Sequence, residues 1–256
     1  MDLTPLQWTL GALAALLVGF SKTGIPGVGI LIVPLMAAVF GSRASIGTVL
    51  PMLLFADLFA VARYRAHTRW DKLRELIPWV LIGMALGTLL LAWLGEREGS
   101  RDLLGPIIGV LVLVMLGVHL ARQRWGDEMA PHSRLGAAST GAAAGFSTTV
   151  SNAAGPIMGI YLTAMGMPKQ QFMGTFAWYF FIFNSVKVPI FAALTLMTPD
   201  KPIFTAHGLL FTLSVAPVIA AGALTGSWLL PRMNQKLFDS AILALAAVAA
   251  VKLIFG

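Results

Sequence analysis

Apolar positions group into long runs separated by short polar stretches, and two of these runs are broken in the same way. The first extends from Trp8 to Phe40. It is interrupted by Gly19-Phe20-Ser21-Lys22-Thr23-Gly24-Ile25-Pro26-Gly27. The second covers 135–165. It is interrupted by Gly145-Phe146-Ser147-Thr148-Thr149-Val150-Ser151-Asn152-Ala153-Ala154-Gly155-Pro156. Both interruptions begin Gly-Phe-Ser, 126 positions apart, and both end with a glycine beside a proline. Uninterrupted apolar runs predict helices at about 44–64, 74–94 and 103–121 in the first half, and at about 170–195, 206–231 and 237–255 in the second. Gly41-Ser42-Arg43 reads as a short loop, and 122–134 as a polar linker between the halves.

The length of the broken runs decides how they sit. As one continuous helix, 8–40 would be about 50 Å long, against a hydrocarbon core of about 30 Å. As a re-entrant hairpin with arms 8–20 and 28–40, each arm is about 20 Å long and passes the bilayer midplane. Charge agrees. With the basic stretch Arg63–Arg74 in the cytoplasm, hairpins divide the loop Lys and Arg eleven inside to five outside. Each half is then a hairpin plus three transmembrane helices, an odd number of crossings. The expected fold is therefore an all-α polytopic membrane protein of two inverted-topology repeats. Repeat 1 is 1–121, the cytoplasmic linker is 122–134, and repeat 2 is 135–256, with both termini outside. Gly83-Met84-Ala85-Leu86-Gly87 and Gly222-Ala223-Leu224-Thr225-Gly226, 139 apart, have the small-xxx-small spacing of closely packed membrane helices.

Composition sharpens this picture. Hydrophobic residues make up 57% of the 256 and charged residues 11%, with a mean hydropathy of +0.82. A soluble domain carries roughly 25% charged residues. The net charge of +7 therefore marks cytoplasmic loops rather than a nucleic-acid surface. Cysteine is absent, which excludes disulfides and thiolate sites. No basic region precedes the first apolar run, so no cleavable signal peptide is expected. Neither a cofactor nor a metal site is read from the pattern. The four histidines are scattered near segment ends, and none is placed to act as a base.

Two breaks at matching places in two apolar halves are the pattern of a transporter binding site. Helix starts at such breaks present free amides and a positive dipole end to anions. Ser21, Lys22, Thr23, Gly24 and Gly27 form one side of the expected cradle. Ser147, Thr148, Thr149, Ser151, Asn152 and Gly155 form the other. Lys22 is an intramembrane charge at the first break. Asn184 and Lys187 share one face of the 170–195 helix. Asp57 is the only acid well inside a full segment, a candidate to carry a proton, pair with a lysine or line the path. Trp178, Tyr179 and Phe180 read as packing residues, and Arg63 as a topology charge.

The runs GFSKTGIPGVGILIVPL and GFSTTVSNAAGPIMGIYL, with the basic loop and the two-fold repeat, resemble the TauE/SafE sulfite exporter family across essentially the whole chain. The resemblance implies a multi-pass secondary transporter of the bacterial inner membrane, exporting sulfite or an organosulfonate. Its partners would be a small anionic substrate and the lipid bilayer, with protons as a candidate coupling ion and a homodimer as a candidate assembly. Four other readings stay open: a proton-coupled anion importer, a metal-cation permease, an intramembrane enzyme and a non-transporting scaffold.

Overall fold

The structure is a computed structural model. It describes residues 3–24, 26–96, 134–165, 167 and 169–229, and single helical positions 106, 109, 110, 113, 114, 117, 121, 124 and 251. Among these residues the chain is helical throughout, without strands. Helix α1 spans Pro5–Thr23. A 3-10 helix, Pro26–Leu31, leads into α2, Ile32–Phe40. Then come α3, Ser42–Tyr64, and α4, Trp70–Glu96. The second half gives α5, Arg134–Ser151, and α6, Gly155–Ala164. It continues with α7, Lys169–Met197, and α8, Ala206–Leu229. Four stretches are long and apolar enough to cross a membrane: Ser42–His67, Trp70–Leu94, Gln170–Met197 and Ala206–Trp228. The expected helices at 103–121 and 237–255 and the linker 122–134 lie mostly or wholly outside the described residues.

The broken runs differ from expectation in one respect. The polar stretches were expected to be non-helical tips between equal arms. Instead, Ser21, Lys22 and Thr23 complete the last turn of α1, and Ser147–Ser151 complete α5. The cause is local. Ser21 Oγ donates to the Val18 carbonyl. Thr149 Oγ1 donates to Gly145 and Ser151 Oγ to Ser147. Hydroxyls bonded back in this way can stay within a helix, at the cost of some bending. The breaks fall later, at Gly24 and at 152–154. The return arm of the first run also begins as a 3-10 helix rather than an α-helix at Pro26. The expected loop Gly41-Ser42-Arg43 shrinks to Gly41, whose φ of 76° suits glycine, and α3 starts at Ser42.

Packing links the halves crosswise. α1 lies on α8 and α4 lies on α5, each pair running in the same direction, as the order of their contacts shows. Glycines make both approaches close. A methyl at Gly19 would fall on the Ile219 carbonyl, and one at Gly222 on the Leu16 carbonyl. Gly83 meets Ala142 and Gly145 meets Val80 in the same way. The spacing of small residues thus does what lipid packing requires of it. α3 and α7 run antiparallel through the middle: Arg43 reaches Thr198, Asp57 reaches Asn184, and the Arg69 amide reaches Thr175. The apolar stretch of α3 is 61% buried, against 33–39% for the other three crossing stretches, so α3 is the central element. Leu58, Leu86, Leu213 and Leu224 are exposed on the outer surface, where lipid replaces a protein core.

Candidate functional site

The ends of α1 and α5 approach each other beside α3 and α7. The last carbonyls of a helix carry partial negative charge, which favours a cation there. At α1 that cation is Lys22. Its Nζ lies 2.8 Å from Asp57 Oδ1 and 3.9 Å from the centroid of the Phe180 ring. Lys22 is 4% exposed and Asp57 fully buried, so Lys22 does not snorkel to the surface. Asp57 Oδ2 accepts from Asn184 Nδ2 at 2.6 Å. Asn184 Oδ1 is buried with no hydrogen-bond partner.

At α5 the cation comes from another helix. Lys187 of α7 donates to the Thr148 carbonyl at 2.9 Å, to Thr148 Oγ1 at 3.0 Å and to Asn152 Oδ1 at 2.6 Å. Asn152 has a φ of 55°, a left-handed conformation that asparagine tolerates better than most residues. Its Nδ2 donates to the Ile46 carbonyl of α3 at 2.9 Å. Asn152 therefore ties the second break to both α3 and Lys187. Lys187 is fully buried. Its ammonium has three protons and finds three oxygens, all of them neutral.

Between the two breaks lies a cavity of about 30 Å³, large enough for a water-sized guest. Ser21, Lys22 and Gly29 line it from the first run, and Asn152, Ala153 and Gly155 from the second. Val49 and Leu53 of α3 and Phe176 and Phe180 of α7 complete its walls with Ile32. Asp57, Asn184, Thr148 and Lys187 stand behind this lining and hold it through the contacts above. The other expected residues are not part of this lining. Thr23 Oγ1 donates to the Ala223 carbonyl at 2.6 Å, and Gly24 packs against Gly226. Thr149 faces Gly87 of α4. Ser147 is buried, and its carbonyl accepts from Ser151. Gly27 belongs to the 3-10 helix.

Phe176 and Phe180 were not recognised as site residues from sequence. Their signal is their face: positions 176, 180, 184 and 187 recur at the helical spacing that brings Asn184 and Lys187 inward. Arg43, read as part of a loop, is half-buried. It donates to the carbonyls of Leu91 and Lys201 and to Thr198 Oγ1, joining α3, α4 and the α7–α8 connection. Among the described residues no cluster of three or more His, Asp or Glu side chains is arranged to hold a metal ion.

Membrane-length helices around a buried charged centre, with two helix breaks meeting at one cavity, define the class: a polytopic helical membrane protein. Within that class the chain belongs to the Sulfite exporter TauE/SafE family, which matches residues 11–253. No curated protein and no solved structure matches the chain.

Proposed function

We propose that the protein is a secondary transporter of a small sulfur oxyanion, sulfite or an organosulfonate, bound between the two helix breaks. The observation that carries this reading is a charge imbalance. Lys22 and Lys187 are both buried at the centre, and Asp57 is the one carboxylate there among the described residues. A buried charge is costly unless it is paired. Lys22 has its partner. Lys187 is held by neutral oxygens, so two buried lysines face one carboxylate, an arrangement that a bound anion would balance.

The reading includes the inverted repeat of hairpin plus three helices, with 1–121 and 135–256 as repeats and 122–134 as a cytoplasmic linker. Its support is that Trp8 and Phe40, at the two ends of the first broken run, both pack on Phe211, with ring centroids 5.3 and 5.0 Å away. The crosswise pairs α1–α8 and α4–α5 fit the same arrangement. Export needs no coupling ion. A dianion leaving a cell interior at −100 mV gains roughly 4.6 kcal/mol. The second reading is proton-coupled uptake, with Asp57 as carrier, and the Lys22–Asp57 contact favours it: a proton on Asp57 would release Lys22 to the anion.

Flux of labelled sulfite and of organosulfonates into proteoliposomes, with and without a pH gradient, tests the proposal. Anion flux that does not require a pH gradient supports export by uniport, and flux that requires one supports proton coupling. Absence of flux for every anion tried, in protein that is well folded, rejects both. Single cysteines introduced near each terminus of this cysteine-free chain test the topology. A carboxyl terminus labelled from the cytoplasm would overturn the hairpins.

A further inference from the structure

A second cavity, of about 300 Å³, opens on the outer surface where the ends of α3 and α8 run side by side. Phe59, Ala62 and Arg63 of α3 line it, with Ala223, Leu224 and Ser227 of α8 and Thr23 of α1. Its two hydroxyls are taken up by backbone carbonyls: Thr23 donates to Ala223 in a buried bond, and Ser227 donates back to Leu224 of its own helix. What remains facing outward is an apolar wall with one cation at its end. Arg63 lies one helical turn beyond Phe59, about 6 Å along the axis, in the last turn of α3. Among the described residues its guanidinium is seen against the neighbouring Tyr64 ring, at 5.7 Å, while Arg69 and Lys72 have Asp71 and Glu75 as partners. Leu224 in the lining is exposed, as are Leu58 and Trp228, each one position from a lining residue.

We propose that this groove binds one anionic phospholipid, its phosphate on Arg63 and an acyl chain along Phe59 and Leu224. The depth suits it, because Arg63 ends a membrane-crossing helix where headgroups lie. The chemistry also suits it. A hydrated inorganic anion would lose water to an apolar wall and gain one donor, whereas a lipid matches both parts of the groove. The site is separate from the central cavity and does not depend on the identity of the cargo. It touches the transport machinery at one point: Tyr64 Oη donates to the Thr23 carbonyl at 3.0 Å, next to Lys22.

Native mass spectrometry of the purified protein, titrated with phosphatidylglycerol or phosphatidylcholine, tests the inference. The expected result is one phosphatidylglycerol retained per chain in preference to phosphatidylcholine. Arg63→Gln should weaken that retention about tenfold, and Ala62→Phe, which fills the groove without changing charge, should weaken it similarly. Arg65→Gln, the exposed cation two positions on, should leave it unchanged. Equal retention of the two lipids would overturn the proposal. So would an equal loss in Arg63→Gln and Arg65→Gln, which indicates a diffuse basic surface. Displacement of the lipid by millimolar phosphate or sulfite would assign the groove to a soluble anion instead.

Discussion

The two helix breaks occupy matching places, yet their lysines are in opposite electrical situations. Lys22 and Thr148 are counterparts, 126 positions apart at the ends of α1 and α5. The first break carries its cation in its own chain segment and meets a carboxylate 2.8 Å away. The second has a threonine there, and Lys187 from α7 reaches that threonine instead. One cation is neutralised and the other is only solvated by the protein. On the proposed reading, this difference is what would let the centre accept an anion beside a structural ion pair. Removing a partner should therefore have different consequences on the two sides.

The largest effect is expected at the balanced side. Asp57→Asn leaves Lys22 buried without a counter-charge and should cost about 3–5 kcal/mol of stability, read as a lowered melting temperature in detergent. Added sulfite should recover part of that loss. The double variant Lys22→Gln/Asp57→Asn removes both charges and should cost much less than the sum of the single changes. Additive losses would mean that the pair is not an energetic unit.

A smaller effect, on function rather than stability, belongs to the unbalanced side. Lys187→Met removes the second buried lysine and the donor that fixes Asn152. Lys187 stands behind the lining with its protons taken by Thr148 and Asn152, so it acts on the anion through charge at a distance; anion affinity should fall about tenfold, roughly 1.4 kcal/mol, measured by equilibrium binding to purified protein. Unchanged affinity would break the comparison, because Lys187 would then be a structural residue like Lys22.

The smallest effect tests whether the contrast is confined to the cations. Thr23 adjoins Lys22 but donates away from the cavity, to α8. Thr23→Val should cost about 1 kcal/mol of stability and leave anion affinity and selectivity as they are. A loss of affinity would place the hydroxyl in the site after all.

Much of this was legible in the sequence because it rests on residue type and repetition. The 126-position recurrence located both breaks, and the glycines at 83, 87, 222 and 226 announced close helix contacts. Lys22, Asp57, Asn184 and Lys187 stood out as polar groups in apolar runs. What sequence did not reveal depends on tertiary choice. Whether Ser21 and Thr149 end a helix or bond back into it is decided by which backbone group the hydroxyl meets, an amide or a carbonyl, which composition does not encode. That Lys22 pairs with Asp57 while Lys187 turns to Thr148 follows from the antiparallel course of α3 and α7. Phe180 looked like any apolar residue until Lys22 was placed over its ring.

The crosswise packing of α1 on α8 also sets an order of events during synthesis. Thr23 and its acceptor Ala223 are 200 positions apart, so α1 is made long before its main neighbour. At roughly 5–20 residues per second the interval is roughly 10–40 s. Through that time α1 stands in the translocation machinery or the lipid with the face of Gly19 uncovered. Nascent chains stalled before residue 206 should accordingly be substrates for membrane quality control, while a stall after residue 229 leaves α1 seated and protected.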